Sequence, residues 1–74
     1  MNIKKHIGNK LRAARMKAGF TQTKAAELIG INRATVVNIE NGRQQLTIVN
    51  LLSFSLLYDI EPKKLLPKLK DFKK

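Results

Sequence analysis

The sequence predicts an all-α fold, with five helices packed into one small domain. Apolar residues recur mainly at spacings of three and four, the period of helices with one buried face, and few stretches alternate as a strand requires. The helical segments are also bounded by residues that start and stop helices. Thr21, Asn32 and Thr47 are typical N-caps, and Gly19 and Gly30 are typical of helix C-termini.

Five helices can be placed from these signals. Pro62 suits the first position of a short last helix, and Pro67 stops it. We expect residues 1–66 to form the folded domain and residues 67–74 to form a frayed basic tail. The predicted helices span about residues 3–18, 22–29, 33–41, 48–58 and 62–66.

Helical periodicity also predicts the core. A chain of 74 residues without cysteine has no disulfide to support it, so its stability depends on efficient packing. A hydrophobic fraction of 43% is sufficient for that. The residues assigned to the core are Ile3, Ile7, Leu11, Ala14 and Ala18 in the first helix, Ala25, Leu28 and Ile29 in the second, Val36 and Ile39 in the third, and Ile48, Leu51, Leu52 and Tyr58 in the fourth.

Charge is the strongest compositional signal. Fifteen Lys and Arg residues against five Asp and Glu residues give a net charge of +10. This excess indicates a polyanionic partner, either nucleic acid or an acidic membrane, and a merely solvated basic surface is the alternative. The N-terminus lacks an apolar segment, and the most apolar run, residues 46–58, is too short to span a bilayer. We therefore expect a cytoplasmic protein with no signal peptide. The proline and the short apolar face of LLPKLKDFKK argue against insertion into a membrane surface, so we expect no membrane partner.

The segment AAELIGINRATVVNIENG, residues 25–42, predicts two short helices joined by a tight turn. Gly30 permits this turn, because a residue without Cβ adopts a left-handed conformation at little cost. Helices joined so closely cross at a steep angle, which presents one of them outward. Successive residues step by about 100°, so Val36 and Ile39 face inward. The outer face then carries Ala34, Val37, Asn38 and Asn41, with Arg33 beside them.

Three stretches of the sequence resemble a known family. They are IG..LR..R...GFTQ from Ile7 to Gln22, AAELIGINRATVVNIENGR from Ala25 to Arg43, and LTIVNLL from Leu46 to Leu52. These stretches are similar to the phage repressor/Cro-type helix-turn-helix regulators, also called the Xre family. The resemblance implies a compact repressor-type fold, with the helix-turn-helix formed by helices 2 and 3, and sequence-specific binding to double-stranded DNA.

The outer face of the third helix, the recognition helix, has the chemistry to read bases. Arg33 can make a bidentate contact to guanine, and Asn38 can pair similarly with adenine. Ala34 and Val37 offer apolar contacts to thymine methyl groups. The alternative for each residue is an ordinary solvated surface. Thr35 faces either a phosphate or the second helix, and we group it with the backbone contacts.

The resemblance implies a second group of residues that position the protein on the sugar-phosphate backbone. In the family, the Gln that begins the second helix bonds a phosphate at the helix N-terminus, and that residue here is Gln22. The loop after the recognition helix contributes further contacts, unless it is simply solvated. The remaining members of this group are Asn41, Arg43, Gln44 and Gln45 in that loop, with Lys10 and Lys24 at the flanks.

Arg15 and Glu40 receive a structural role. Both align with the family's ion pair between helix 1 and the end of helix 3. Glu40 lies toward the inward side of its helix, beside Val36 and Ile39. We expect the pair to hold the recognition helix at its angle rather than to contact a base.

No group of residues predicts catalysis, a metal site or a cofactor. His6 is the only histidine, and the five acidic residues are scattered without forming an acid–base pair. Ser53 and Ser55 lie in an apolar helix with no base placed to activate them. We therefore expect a protein that is not an enzyme.

The fourth helix carries more apolar surface than one core face requires. Val49 and Leu56 form a stripe on another face, where family members usually have polar residues. An exposed stripe indicates a partner, and we predict two-fold pairing across it. The alternative is that the fifth helix covers both residues. The residues assigned to this dimer interface are Val49, Ser53, Leu56, Leu65, Leu69 and Phe72.

These observations predict a transcriptional regulator that binds a roughly palindromic operator as a homodimer. Phage repressors, restriction-modification controllers and antitoxin-type regulators fit this description. The chain ends soon after the predicted DNA-binding core. We therefore expect regulation by the concentration of the protein, by a protein partner such as a toxin or by removal of the protein, and not by a ligand-sensing domain. The alternative class is a protein-interaction module of the same fold, whose basic surface binds an acidic protein.

Overall fold

Five α-helices and one short 3₁₀ helix follow one another in the described part of the chain, which confirms the predicted all-α fold. In the computed structural model, residues 1–72 are described, Phe72 by its backbone alone, and no strand occurs in this part of the chain. The elements are α1 (Ile3–Ala18), α2 (Gln22–Ile29), α3 (Arg33–Glu40), α4 (Ile48–Leu57), the 3₁₀ helix (Pro62–Leu65) and α5 (Leu69–Phe72).

Side-chain caps start the helices where the sequence predicts them. Thr21 Oγ1 accepts a hydrogen bond from the backbone N–H of Lys24 at 3.0 Å. Thr47 Oγ1 accepts one from the N–H of Asn50, also at 3.0 Å. Each cap satisfies a backbone donor that helix geometry leaves unpaired. The starts of α2 and α4 therefore follow from local sequence.

Gly30 makes the turn between α2 and α3. Its φ is 87°, in the left-handed region that favours glycine. The backbone N–H groups of Gly30 and Ile31 both donate to the carbonyl oxygen of Ala26, at 2.9 and 3.0 Å. Ile31 then packs half-buried against the core. These contacts close α2 and redirect the chain into α3 within three residues.

The C-terminal segment differs from the prediction. The short fifth helix is a 3₁₀ helix, and residues 69–72, predicted to be part of a frayed tail, form a helical turn. The backbone N–H of Lys68 donates to Asp71 Oδ2 at 3.1 Å. This carboxylate supplies a capping contact at the start of the turn, which gives it local support. The domain boundary at residue 66 stays a prediction.

The core lies where α1, α2, α3, α4 and the 3₁₀ helix meet. Phe54 of α4 is its largest fully buried side chain. Leu65 anchors the 3₁₀ helix, with 0% of its surface exposed. The buried apolar residues are Leu11, Ala14, Ala25, Ala26, Val36, Ile39, Leu51, Phe54, Tyr58 and Leu65.

Five residues that we predicted to be in the core are exposed. Ile3 and Ala18 are the end residues of α1, a helix longer than the core it covers. Leu28 lies at the edge of the face of α2 that carries the buried Ala25 and Ala26, and it is 53% exposed. In α4, the core face is formed by Leu51, Phe54, Ser55 and Tyr58, spaced as one helical stripe. Ile48 precedes that stripe and Leu52 flanks it, so both reach solvent, at 67% and 46% exposure.

Candidate nucleic-acid interface

α3 is buried along one side and open along the other. Its inner side carries Val36, Ile39 and Glu40, which are all buried. Its outer side carries the four residues predicted to read bases. Arg33 and Ala34 are exposed. Val37 and Asn38 are half-buried, so all four residues share one solvent-facing surface.

A buried ion pair ties the end of α3 to α1. Arg15 Nε donates to Glu40 Oε2 at 2.7 Å, and Arg15 Nη2 donates to Glu40 Oε1 at 3.1 Å. Arg15 Nη1 donates to the carbonyl oxygen of Phe20 at 2.8 Å, so all three guanidinium nitrogens are engaged. The hydrogen bonds with Glu40 hold the pKa of Arg15 above its usual value. The contact predicted between Arg15 and Glu40 is therefore present.

Gln22 is joined to this pair, which the sequence did not indicate. Its Nε2 donates to Glu40 Oε1 at 3.1 Å, and Arg33 Nη2 donates to Gln22 Oε1 over a long 3.5 Å. The Gln22 side chain, predicted to bond a phosphate, thus directs one of its amide hydrogens at Glu40. The sequence offered one indication of a contact between Gln22 and Arg33, because these residues begin two helices that are joined by a tight turn. Gln22 therefore bridges the buried pair and Arg33.

Gly8 allows α1 to approach the end of α3. A Cβ at this position would lie 2.6 Å from the carbonyl oxygen of Glu40, closer than such atoms approach in proteins. The contact therefore requires a residue without a side chain. Gly8 lies within the first stretch of the resemblance, but a glycine inside a helix carries no local signal that predicts a partner.

Asn32 caps the first turn of α3. Its Oδ1 accepts hydrogen bonds from the backbone N–H and from the hydroxyl of Thr35, both at 2.9 Å. The Thr35 hydroxyl therefore points to the cap rather than to α2. An ionised phosphate only accepts hydrogen bonds, so a phosphate contact requires this hydroxyl to leave Asn32.

The loop after α3 continues the same surface. The backbone N–H groups of Arg43 and Gln44 donate to the carbonyl oxygen of Asn38, at 2.9 and 3.3 Å, and tie the loop to the helix end. The side chains predicted to contact the DNA backbone from this loop are all exposed. They are Asn41, Arg43, Gln44 and Gln45.

Comparison with known proteins identifies this arrangement. Residues 11–65, most of the chain, match the helix-turn-helix family HTH_3. The chain belongs to the helix-turn-helix family. This membership confirms the resemblance to the repressor/Cro-type regulators, and α2 and α3 form the motif that gives the family its name.

Three similar proteins illustrate the range of this helix-turn-helix family. The chain is 37% identical over 62 residues to the HTH-type transcriptional regulator ImmR of Bacillus subtilis, a match that covers 84% of this chain and 49% of ImmR. This chain thus spans about half the length of that relative. The restriction-modification controller protein C.AhdI from Aeromonas hydrophila superimposes with a TM-score of 0.78 at 34% identity, over 84% of this chain and 94% of that chain. The P22 c2 repressor, solved with a synthetic operator, gives 0.75 at 25% identity, over 81% and 91%.

The two flanking lysines lie on different sides of the helix-turn-helix domain. Lys24 is exposed on α2, with its Nζ 4.0 Å from Glu27 Oε2. Lys10 instead lines a groove between α1 and the segment after α4. Lys10 is two residues after Gly8, so the two positions are separated by about 200° around the axis of α1, and Gly8 faces α3. Lys10 therefore lies away from α3, and the contact predicted from it to the DNA backbone stays a prediction.

The apolar stripe predicted on α4 is exposed. Val49 is 67% exposed and Leu56 is 84% exposed, so no later helix of the described chain covers them. Leu69 of α5 is also exposed. The prediction that Leu65 belongs to the dimer interface is wrong, because the 3₁₀ helix turns its side chain into the core. The side chain of Phe72 lies outside the described residues.

No three His, Asp or Glu side chains come together as metal ligands in residues 1–71. The half-buried His6 has an Nε2 without a hydrogen-bond partner within this part of the chain. Among the helices described, none is long and apolar enough to cross a membrane.

Proposed function

We propose that this protein is a transcriptional regulator that recognises a specific double-stranded DNA sequence with the outer face of α3. The observation that carries the proposal is the two-sided character of this helix. Val36 and Ile39 hold one side in the core, while Arg33, Ala34, Val37 and Asn38 share the open side. An α-helix fits the major groove, which is about 12 Å wide. The printed names of the relatives, a regulator, a controller and a repressor with its operator, support the same function.

Arg33 and Asn38 would supply the specific hydrogen bonds, to guanine and adenine respectively. Ala34 and Val37 would contact thymine methyl groups between them. The position of Arg33 supports this assignment, because it is exposed at the first residue of α3 and its guanidinium is accessible to a base.

A second set of residues would position the protein on the phosphates around this face. The net charge of +10 supplies a sequence-independent attraction to DNA, which weakens steeply as salt rises. The helix N-terminus at Gln22 points N–H groups outward and suits an anion. The proposed backbone contacts are Gln22, Lys24, Thr35, Asn41, Arg43, Gln44 and Gln45.

We also propose that two copies pair through α4. Val49 and Leu56 expose an apolar stripe, and Ile48 and Leu52 widen it beyond the prediction. The hydroxyl of Ser53, within the stripe, donates to the carbonyl oxygen of Val49 at 2.9 Å, so its donor is satisfied and tolerates an apolar contact. Two-fold pairing would bury the stripe against its copy. A palindromic operator requires two recognition helices about 34 Å apart, which such a dimer can provide.

The proposed mode of action is occupation of the operator, in the manner of a repressor or controller protein. The names of two relatives support this mode. Occupation of the operator requires neither a cofactor nor a catalytic group. We also propose that the protein is cytoplasmic.

Selection of bound sequences from a random duplex library tests the proposed function. We expect an enriched motif with two related half-sites, and binding to it should fall steeply with salt. The double variant Arg33→Ala with Asn38→Ala is the control and should lose the motif while retaining weak general binding. Equal affinity of the unaltered protein for every duplex and for other polyanions would contradict the proposal.

A further inference from the structure

A basic groove lies between α1 and the segment after α4. Its volume is about 890 Å³, within the range of roughly 300–1,000 Å³ that is typical of ligand clefts. The residues of its apolar floor do not belong to the surface proposed to contact DNA. They include Ala13, Ala14, Ile60 and Leu66.

Five exposed lysines line this groove. The Nζ of Lys63 lies 3.5 Å from Glu61 Oε2, and within the described part of the chain the other four amines have no ion pair. Like charges gathered along one groove repel one another, and an anionic ligand relieves this repulsion. The five lysines are Lys10, Lys17, Lys63, Lys64 and Lys68.

The walls of the groove are held in place by the fold. Leu65 is fully buried and anchors the 3₁₀ helix between Lys64 and Leu66. Pro62 and Pro67 restrict the backbone on either side of that anchor. The groove is therefore formed before a ligand arrives, and binding does not have to order its walls.

The groove and the recognition helix lie on different sides of α1. Arg15 faces α3 through its ion pair with Glu40. Lys17 follows Arg15 by two residues, which places it about 200° further around the helix. A ligand in the groove therefore leaves the outer face of α3 accessible.

We propose that this groove binds an acidic amphipathic helix of a partner protein. Apolar side chains of such a helix, at spacings of three and four, occupy the floor, and its carboxylates meet the lysines at the rim. Duplex DNA carries the negative charge that complements the lysines of the groove. Its phosphates are polar, however, and would not cover the apolar floor. The combination of an apolar floor with a basic rim favours a protein segment and goes beyond the proposed DNA-binding function.

Fluorescence anisotropy with labelled synthetic peptides tests this site on the full chain. The probe is a helical peptide with Leu along one face and Glu along both flanks. One matched peptide replaces each Leu by Ser and keeps every Glu, and another scrambles the order so that no face forms. We expect the probe to bind at least about tenfold more tightly than either, because only the probe fills the floor. Equal binding of all three would reflect charge alone and would overturn the proposal.

Two sets of variants locate the binding. Lys17→Glu with Lys64→Glu should weaken probe binding at least about tenfold, because like charges then face each other. The control Lys4→Glu with Arg12→Glu changes net charge equally, at exposed positions of α1 outside the groove. It should weaken the probe less than about twofold, as expected for distant exposed charges. Equal losses in both double variants would overturn the assignment to the groove.

Duplex binding, measured in parallel, separates this inference from the proposed function. We expect the groove variant to keep the duplex preference of the unaltered protein, and the probe to leave bound duplex in place. Displacement of the probe by duplex, with equal loss of both ligands in the groove variant, would make the groove a nucleic-acid site and refute the proposal. A protein that binds the probe without any duplex preference would contradict the proposed function and leave this inference standing.

Discussion

Arg15 of α1 and Glu40 at the end of α3 form a bidentate ion pair that water scarcely reaches, with side chains 10% and 3% exposed. Gln22 donates a third hydrogen bond to the same carboxylate. Gly8 lies beside this contact and lets the two helices approach. The position of α3 therefore depends on a charged contact in a nearly dry environment, where each charge needs its partner.

Arg15→Met should lower the free energy of unfolding by about 3–5 kcal/mol, because it leaves the buried charge of Glu40 without an opposite charge and with a hydrogen bond from Gln22 alone. Combining it with Glu40→Leu should recover much of the loss, since no desolvated charge then remains. Urea denaturation of the four proteins in this double-mutant cycle provides the measurement. Additive losses would show that the two residues do not interact.

An exposed ion pair serves as the control for this cycle. Lys24 Nζ lies 4.0 Å from Glu27 Oε2, and both side chains are mostly exposed. Their coupling should be about 0.5 kcal/mol or less, because water screens both charges. A coupling as large as that of Arg15 and Glu40 would show that burial is not the cause of the difference.

Gly8→Ala should destabilise the protein by about 1–3 kcal/mol although alanine favours helices, because its methyl group meets the carbonyl of Glu40. The displacement of α3 should also weaken duplex binding. Asn9→Ala, at the next and exposed position of α1, is the control and should leave stability unchanged or slightly raised. Thermal unfolding that shows Gly8→Ala to be as stable as Asn9→Ala would contradict the close approach.

Arg33→Ala or Asn38→Ala should each cost about 1–3 kcal/mol on the preferred duplex and relax base preference at one position. Arg43→Ala should instead weaken all duplexes alike and lower the salt slope by about one unit, because a phosphate contact carries no base information. Titrations against the selected site and single-base variants measure both effects. If Arg33→Ala binds the selected site unchanged, the assignment of base reading to Arg33 is wrong.

Val49→Glu combined with Leu56→Lys should produce a folded monomer that binds a palindromic duplex much more weakly. Each change places a charge in the apolar stripe, where pairing would desolvate it. Analytical ultracentrifugation measures the oligomeric state. Met16→Glu with Leu28→Lys changes two exposed apolar residues outside the stripe and should remain dimeric. A Val49 and Leu56 double variant that still sediments as a dimer would place the interface elsewhere.

Tyr58→Phe should make stability less sensitive to alkaline pH. The Tyr58 hydroxyl is buried without a hydrogen-bond partner in the described part of the chain, and burial raises its pKa to about 12. The unfolded value is about 10, so folding favours the neutral phenol. This contribution is complete below about pH 10 and is lost as the pH rises from there toward 12.

Chemical denaturation of both proteins at several pH values checks this prediction. The other titrating groups are shared, so the difference between the two curves isolates Tyr58. At neutral pH the variant should be equally stable or more stable, because a buried polar group without a partner costs about 1–3 kcal/mol. Parallel decline of the two proteins above pH 10 would contradict the assignment.

The sequence by itself determined the helix starts, the turn at Gly30 and the outer face of α3. These features depend on residues a few positions apart. Thr21 caps a donor three residues later, and Val36 and Ile39 share a face through helical spacing alone. Local chemistry was therefore enough to predict them, and the family resemblance added the contact between Arg15 and Glu40.

Only the tertiary structure decided which faces have neighbours. α4 is apolar on several sides, so periodicity could not show that Leu52 is exposed. Leu65 is buried because the 3₁₀ helix folds back onto α1. The bridge from Gln22 to Glu40 and the place of Lys10 in the groove likewise depend on how separate helices pack. A sequence pattern shows which residues share a face, but the element that covers that face comes from distant parts of the chain.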